Sequence, residues 1–218
     1  VPKEWIDDRQ RCCEAGIPEE TRFRTQGELA QVMVERLWEA HSPCSWVVAD
    51  TVSGGNLDLR TYGYSDVLAV ACDEPVGRQS ASGRKRRTVV EALAFHTDAW
   101  QCLSMSDGTK GPRLFDWAVM PVLHGWEDDG RHFLLVRRCL DNPDENACSF
   151  VFAPTGTPLA EMVQASGARW GIEECFEIGK DMGLAADEGR SFIAWYRHFT
   201  LVMLVETCLA GIGLCAAR

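Results

Sequence analysis

Ser45-Trp46-Val47-Val48-Ala49-Asp50 is a short apolar run that ends on a carboxylate, and Asp66-Val67-Leu68-Ala69-Val70-Ala71-Cys72 is a second run of strand length. In front of the first lies Thr25-Gln26-Gly27-Glu28, with Leu29, Val32, Met33 and Leu37 following at helical spacing. Thr25 and Glu28 have the spacing of a capping box, in which each side chain satisfies a backbone N–H of the other. A helix is therefore expected over 26–40, with Pro43 beyond its end. Ser53-Gly54-Gly55 marks a loop after the first run, and a short helix is expected near 57–63. Helix, strand, helix, strand is the rhythm of an α/β sheet with parallel neighbours.

The pattern changes after Asp73. Residues 74–87 read as a polar, Gly-rich, basic loop. Leu114 to Val122, His132 to Cys139 and Cys148 to Ala153 are short apolar runs punctuated by Gly125, Asp128-Asp129-Gly130 and Asn142-Pro143-Asp144. That is the signature of an antiparallel β section inserted into the α/β body. Thr157-Pro158 then supplies an N-cap with Pro at the first helical position, and helical pattern runs to Lys180, with a break expected at Gly167. A last, apolar helix is expected over 189–215, and residues 1–24 read as an irregular lead-in. The expected organisation is thus 1–73, an α/β portion; 74–156, a β-rich insertion; and 157–218, C-terminal helices.

At 218 residues, 46% hydrophobic and 25% charged, the chain has the balance of a globular protein. Its 22 Lys+Arg against 32 Asp+Glu give a net charge of -10, which excludes a uniformly basic nucleic-acid coat and leaves room only for local basic patches. Phe199 to Cys215 is the most apolar stretch, but Glu206 interrupts it; it reads as a buried core helix rather than a membrane span. The start, Val1-Pro2-Lys3-Glu4-Trp5, has no signal-peptide pattern and no Met, as expected of a segment from within a longer reading frame. The ten cysteines form no Cys-x-x-Cys pair, so they read as reduced, buried small hydrophobes rather than zinc ligands.

Asp50 stands where α/β sheets place their ligands, although a strand-end Asp can equally cap a turn. Arg169, Glu173 and Lys180 form a cation–carboxylate–cation stripe at spacings that share one helix face. Such a stripe is either a solvated ion-pair face or a metal-holding carboxylate flanked by phosphate-gripping cations. In the second reading, apolar Trp170, Ile172 and Phe176 anchor the helix. Arg84-Lys85-Arg86-Arg87 is the densest basic run, either a solvated loop or a phosphate clamp. Lys110 and Arg113 sit on the turn Gly108-Thr109-Lys110-Gly111-Pro112-Arg113, which lacks P-loop spacing. The five histidines show no metal-binding spacing and read as structural, and no Gly-x-Ser-x-Gly elbow occurs.

Together these pieces resemble bacterial insertion-sequence transposases of the DDE type. Trp46-Val47-Val48-Ala49-Asp50 with Gly54-Gly55 and Leu59-Arg60 resembles their second-aspartate motif. Gly108 to Trp117 resembles a turn in their β insertion, and Trp195-Tyr196-Arg197-His198 their closing helix. Arg169-Trp170-Gly171-Ile172-Glu173-Glu174-Cys175-Phe176-Glu177-Ile178-Gly179-Lys180 is similar to their last-glutamate signature. In that signature Tyr, Arg, Glu and Lys are separated by two, three and six residues, and Arg169, Glu173 and Lys180 keep the latter two intervals. Ser166 stands in place of the Tyr, Ser53 in place of a Tyr after the second aspartate, and no first aspartate is found before Asp50.

The resemblance implies a partial RNase H-like core with a β insertion before the glutamate helix. It implies phosphoryl transfer on DNA with two divalent ions, Mg²⁺ or Mn²⁺, held by Asp50, Glu173 and a third carboxylate. Arg169 and Lys180 would then position transposon-end phosphates, with Lys110, Arg113, Arg84, Lys85, Arg86 and Arg87 as further DNA contacts. DNA is the implied partner, as transposon ends and target, with a homodimer on DNA, a bacterial cytoplasmic, nucleoid-associated location and no membrane. The missing aspartate leads to the expectation of a truncated transposase, inactive as this chain alone. Two alternatives stand beside it: a non-catalytic, transposase-derived DNA-binding or regulatory module, and an unrelated metal-dependent nuclease or phosphatase using Asp50 and the glutamates.

Overall fold

The computed structural model describes residues 3–50, 64–80, 83–88, 99–108, 111–123, 130–186 and 189–216, with side chains described except at 77–80, 83–88 and 210–216. The chain forms two compact units, Gln26–Arg169, and Val1–Thr25 together with Trp170–Arg218.

In the first of these, α3 (Gln26–Glu39) fills the span expected from its apolar spacing. His41 ends it by adopting a left-handed backbone, φ 49°, while Ser42 N–H reaches back to Leu37 O at 3.0 Å. Among the described residues eight strands follow: β1 (Trp46–Ala49), β2 (Ser65–Val70), β3 (Pro75–Ser80), β4 (Gly83–Thr88), β5 (Gln101–Gly108), β6 (Gly111–Pro121), β7 (His132–Arg138) and β8 (Asn146–Phe152). Six of them make one mixed sheet in the order β1-β2-β8-β7-β6-β5. β1 and β2 are parallel, as the sequence rhythm predicts, and every other neighbouring pair is antiparallel. The antiparallel section β5–β8 precedes the long helix α4 (Leu159–Asp181), and the mixed α/β architecture is compatible with a partial RNase H-like core.

Period-2 alternation gives this sheet two apolar faces. One face carries Val67, Val151, Leu135 and Trp117, which bury against Met162, Val163 and Ala165 of α4. The other packs Leu68 beneath Val34 of α3, and Met120, Leu134, Val136 and Cys148 beneath Val76 of β3. The segment 74–87 is thus not a loop. β3 and β4 pair in register as a two-stranded ribbon, Val76 opposite Arg87 and Arg78 opposite Lys85. A buried Val76 is what ties this otherwise polar ribbon to the core.

The second unit corrects the reading of residues 1–24 as irregular. α1 (Lys3–Asp7) and α2 (Arg9–Glu14) are separated by Asp8, whose carboxylate accepts from Arg11 N–H at 3.0 Å as an N-cap. Gly16, at φ 69°, closes α2, and Phe192 N–H donates to Ala15 O at 2.8 Å, joining α2 to the start of α5 (Phe192–Ala216). α5 is not the buried core helix expected from its composition. Among its described side chains only Val202 is buried, while Leu201, Met203, Leu204, Val205 and Leu209 are exposed. Among the described residues no helix is long and apolar enough to cross a membrane. The short helix expected near 57–63 lies outside the described residues.

The nine cysteines described are free. Cys148 on β8 meets Cys72 at 3.2 Å, Sγ to Sγ. Burial, then the Cys72 thiol, pushes the Cys148 thiol well above the usual range. A folded-state pKa raised above the unfolded one favours the fold below the unfolded value and loses that contribution as pH rises past it. The melting temperature should therefore fall as pH rises above about 8.5, and less steeply in Cys148→Ala; equal slopes in the two proteins would contradict this. The backbone also dictates one position on α4, where a Cβ at Gly167 would collide with the Met105 carbonyl oxygen and reach Met105 Cγ at 2.8 Å. Gly171 has nothing within 4 Å. Urea unfolding should show Gly167→Ala destabilised by about 1–3 kcal/mol and Gly171→Ala stabilised by about 1 kcal/mol. A gain at both positions would show that α4 does not press on β5.

Candidate functional site

Asp50 lies one residue past β1 and is exposed. It follows the carboxyl end of a parallel strand pair, the edge at which α/β sheets hold ligands. The pairing defines what shares that edge. β2 is antiparallel to β8 and β8 to β7, so β7 runs in the direction of β1 and finishes at the same end. β6, antiparallel to β7, starts there. Arg137 and Arg138 at the close of β7 and Arg113 near the start of β6 thus stand at one end of the sheet, whereas the position after Ala49 is level with Ala69, Ser149 and Leu135, short of that end. Buried Asp66 and His132 occupy the opposite end, in register on either side of Phe152.

Glu173 and Lys180 lie on α4 beyond Arg169, and they belong to the unit formed by 1–25 and 170–218, whereas Asp50 and Arg169 belong to 26–169. The spacing of the stripe survives because α4 is one uninterrupted helix, without the break expected at Gly167. Arg169 and Glu173 are half-buried and Lys180 is exposed. The anchors of this helix are not those expected. Trp170, Ile172 and Phe176 are all exposed, at 40%, 53% and 57%. The first half of the helix does the anchoring, through Met162 and Val163, each at most 1% exposed, and through the bare Gly167 against Met105. Apolar residues past Arg169 carry the right spacing but remain exposed.

The remaining expected contacts divide. Arg113 is half-buried on β6. Gly108 pairs with Gly111 across the turn, with Gly111 at φ 110°, and Lys110 between them lies outside the described residues. Arg84, Lys85, Arg86 and Arg87 lie on β4 opposite Gln79, Arg78, Gly77 and Val76, and their side chains are outside the described set. Gly54, Gly55, Leu59, Arg60 and Ser53 of the motif after Asp50 also lie outside it. Trp195, Tyr196 and His198 sit on α5, where Trp195 stacks on Phe199 at 4.4 Å between ring centres and His198 Nε2 meets Gly183 O at 2.9 Å.

Sequence reasoning missed Arg137 and Arg138, although the signal that singled out Asp50 applies to them: a charge ending a buried strand. Arg138 faces the α3 side, where it pairs with Asp116 at 2.7 Å and stacks on Trp100 at 4.1 Å. Arg137 faces the α4 side. Its guanidinium lies 4.6 Å over the Phe115 ring and donates to Met105 Sδ at 3.8 Å, neither of which carries a compensating charge. Burial lowers its pKa first, and the neighbouring cations Arg113 and Arg169 lower it further, against Glu145 and Cys139.

Among the described residues no three His, Cys, Asp or Glu side chains gather closely enough to hold a metal ion. Asp50 and Glu173 taken singly are hard oxygen donors of the kind Mg²⁺ and Mn²⁺ prefer. A family model described as DDE superfamily endonuclease matches residues 1–112, a span that holds Asp50, β1 and β2 and stops short of Glu173. No curated protein matches the chain.

Proposed function

The chain belongs to the DDE superfamily endonuclease family, and on that premise we propose that it is a transposase-type protein in which Asp50 and Glu173 are two of three carboxylates that hold divalent ions. The observation that supports this reading most is the pairing of a family match around Asp50 with an unbroken α4 that keeps Arg169, Glu173 and Lys180 in their intervals. The family implies a DNA substrate and divalent metal ions, and Mg²⁺ or Mn²⁺ is the proposed choice. Such an ion, when bound, supplies Lewis-acid stabilisation to phosphoryl transfer.

The protein's own contribution is positioning. Asp50 directly follows β1, which pairs with β2, and its side chain is exposed. Arg169 and Lys180, either side of Glu173 on α4, grip phosphates of transposon-end DNA in this reading, with Arg113, Lys110 and Arg84 to Arg87 as further backbone contacts. Phosphate contacts of this kind set register and orientation without reading sequence. The target strand and a second protomer on the same DNA complete the proposed assembly, in the compartment that holds the bacterial nucleoid. Two carboxylates do not build a two-metal pair, so this chain alone is proposed to bind metal and DNA without completing strand cleavage.

Calorimetric titration with Mn²⁺ tests the assignment. Asp50→Asn and Glu173→Gln should each weaken binding by at least about tenfold, since even outer-shell losses cost that much. Wild-type affinity in both variants would overturn the ligand assignment. Supercoiled plasmid incubated with the chain and Mg²⁺ should stay intact; nicking that disappears in Glu173→Gln would favour a self-sufficient nuclease.

A further inference from the structure

Cys72 and Cys148 are the pair of thiols that the fold brings into contact among the described residues, Sγ to Sγ at 3.2 Å and 76 positions apart in sequence. Strand pairing explains the meeting. Val70, the last residue of β2, lies opposite Cys148 on β8. Cys72 follows two residues later, past the end of β2, in the turn that Glu74 N–H closes onto Ala71 O at 3.0 Å. Its thiol donates to Asn146 O, at the start of β8, at 3.3 Å. Cys148 is 2% exposed and packs with Val76, Met120 and Val136, while Cys72 is half-buried at the border of the same cluster. One sulfur is thus within reach of solvent and the other is sealed behind it. Other described thiols are placed differently. Cys12 bonds to Trp5 O and Cys44 to Trp46 O, whereas Cys13, Cys102, Cys175 and Cys208 are exposed.

We propose that Cys72 and Cys148 are a modification site, at which a hydroperoxide forms a reversible disulfide that clasps the turn between β2 and β3 onto β8. Disulfide sulfurs stand about 2.0 Å apart, so closure brings the pair together by roughly 1.2 Å. Cys72 reacts first because it is the accessible sulfur, and burial holds the Cys148 thiol protonated. The Cys72 sulfur attacks one peroxide oxygen and the O–O bond breaks. The departing hydroxide leaves as water with the thiol proton, and Cys72 becomes a sulfenic acid. The Cys148 sulfur then attacks the Cys72 sulfur, the S–O bond breaks, and the Cys148 proton leaves with that hydroxide as a second water. Two thiols lose two electrons and the peroxide gains them. The new bond encloses β3 to β7 in one loop, which constrains the unfolded chain and makes the oxidised protein the more stable one. Both cysteines lie within residues 26–169, and the inference does not depend on DNA or metal binding.

The test uses the full chain, reduced and then exposed to hydrogen peroxide while folded. Remaining thiols are alkylated in urea, and unreduced peptides are mapped by mass spectrometry. Two of the ten thiols should escape alkylation, in a peptide pair that joins Cys72 to Cys148, and dithiothreitol should restore all ten. The linked pair should persist in Cys13→Ser, a change at an exposed thiol, and vanish in Cys72→Ser. Peroxide-treated wild type should melt at a higher temperature than the reduced protein, and Cys72→Ser should show no such rise. Links confined to other cysteines, or a Cys72 carried on to sulfinic acid without a partner, would overturn the proposal. So would a Cys72–Cys148 link that forms as readily in urea as in the folded chain, because the fold would then play no part in joining them.

Discussion

The close approach of α4 to the sheet organises the unit formed by residues 26–169. Met162 and Val163 are almost wholly buried against Val67, Val151, Leu135 and Trp117, and Gly167 lets the helix backbone come down onto the Met105 carbonyl. A side chain at 167 would lift the helix from β5. That contact fixes where Arg169 emerges, and Glu173 and Lys180 follow it on the same helix.

The strand order gives the sheet a functional polarity. One end collects Arg137, Arg138 and Arg113, the other collects the buried Asp66 and His132, and Asp50 closes β1 at a level between them. In the proposed reading of a protein of net charge -10, the Asp50 carboxylate suits a metal ion and guanidiniums suit phosphate. A protein this acidic has to gather its cations locally to meet a polyanion. Arg138, one residue from Arg137 but on the opposite face, is already satisfied by Asp116 and Trp100. Adjacent arginines on one strand thus have separate surroundings, because period-2 alternation turns them to different sides.

What the sequence made legible follows from pattern strength. α3 carries a sustained helical period and β1, β2, β6, β7 and β8 are clear apolar runs, so their existence and the parallel β1–β2 pairing could be read directly. β5 could not, since Ser104, Ser106 and Asp107 blur its alternation and its outer residues are exposed. The β3–β4 ribbon was hidden because its basic run looks solvated and its link to the core is mainly Val76. At the N-terminus, two helices of 5 and 6 residues are too short to show a period, though Asp8 was a readable cap. Composition misled at α5 and at Trp170, Ile172 and Phe176, where apolar side chains remain exposed. Asp50 was legible as a charge closing a buried strand; Arg137 carried the same mark on β7 and was found only once the strand directions were known.

The central proposal is that Asp50 and Glu173 are two ligands of divalent metal. Crystals of the chain grown with Mn²⁺ and measured at its absorption edge test this most directly. The account predicts an anomalous peak within about 2.0–2.6 Å of carboxylate oxygens from both residues. A fully occupied peak elsewhere, with the two side chains in separate solvent regions, would contradict it.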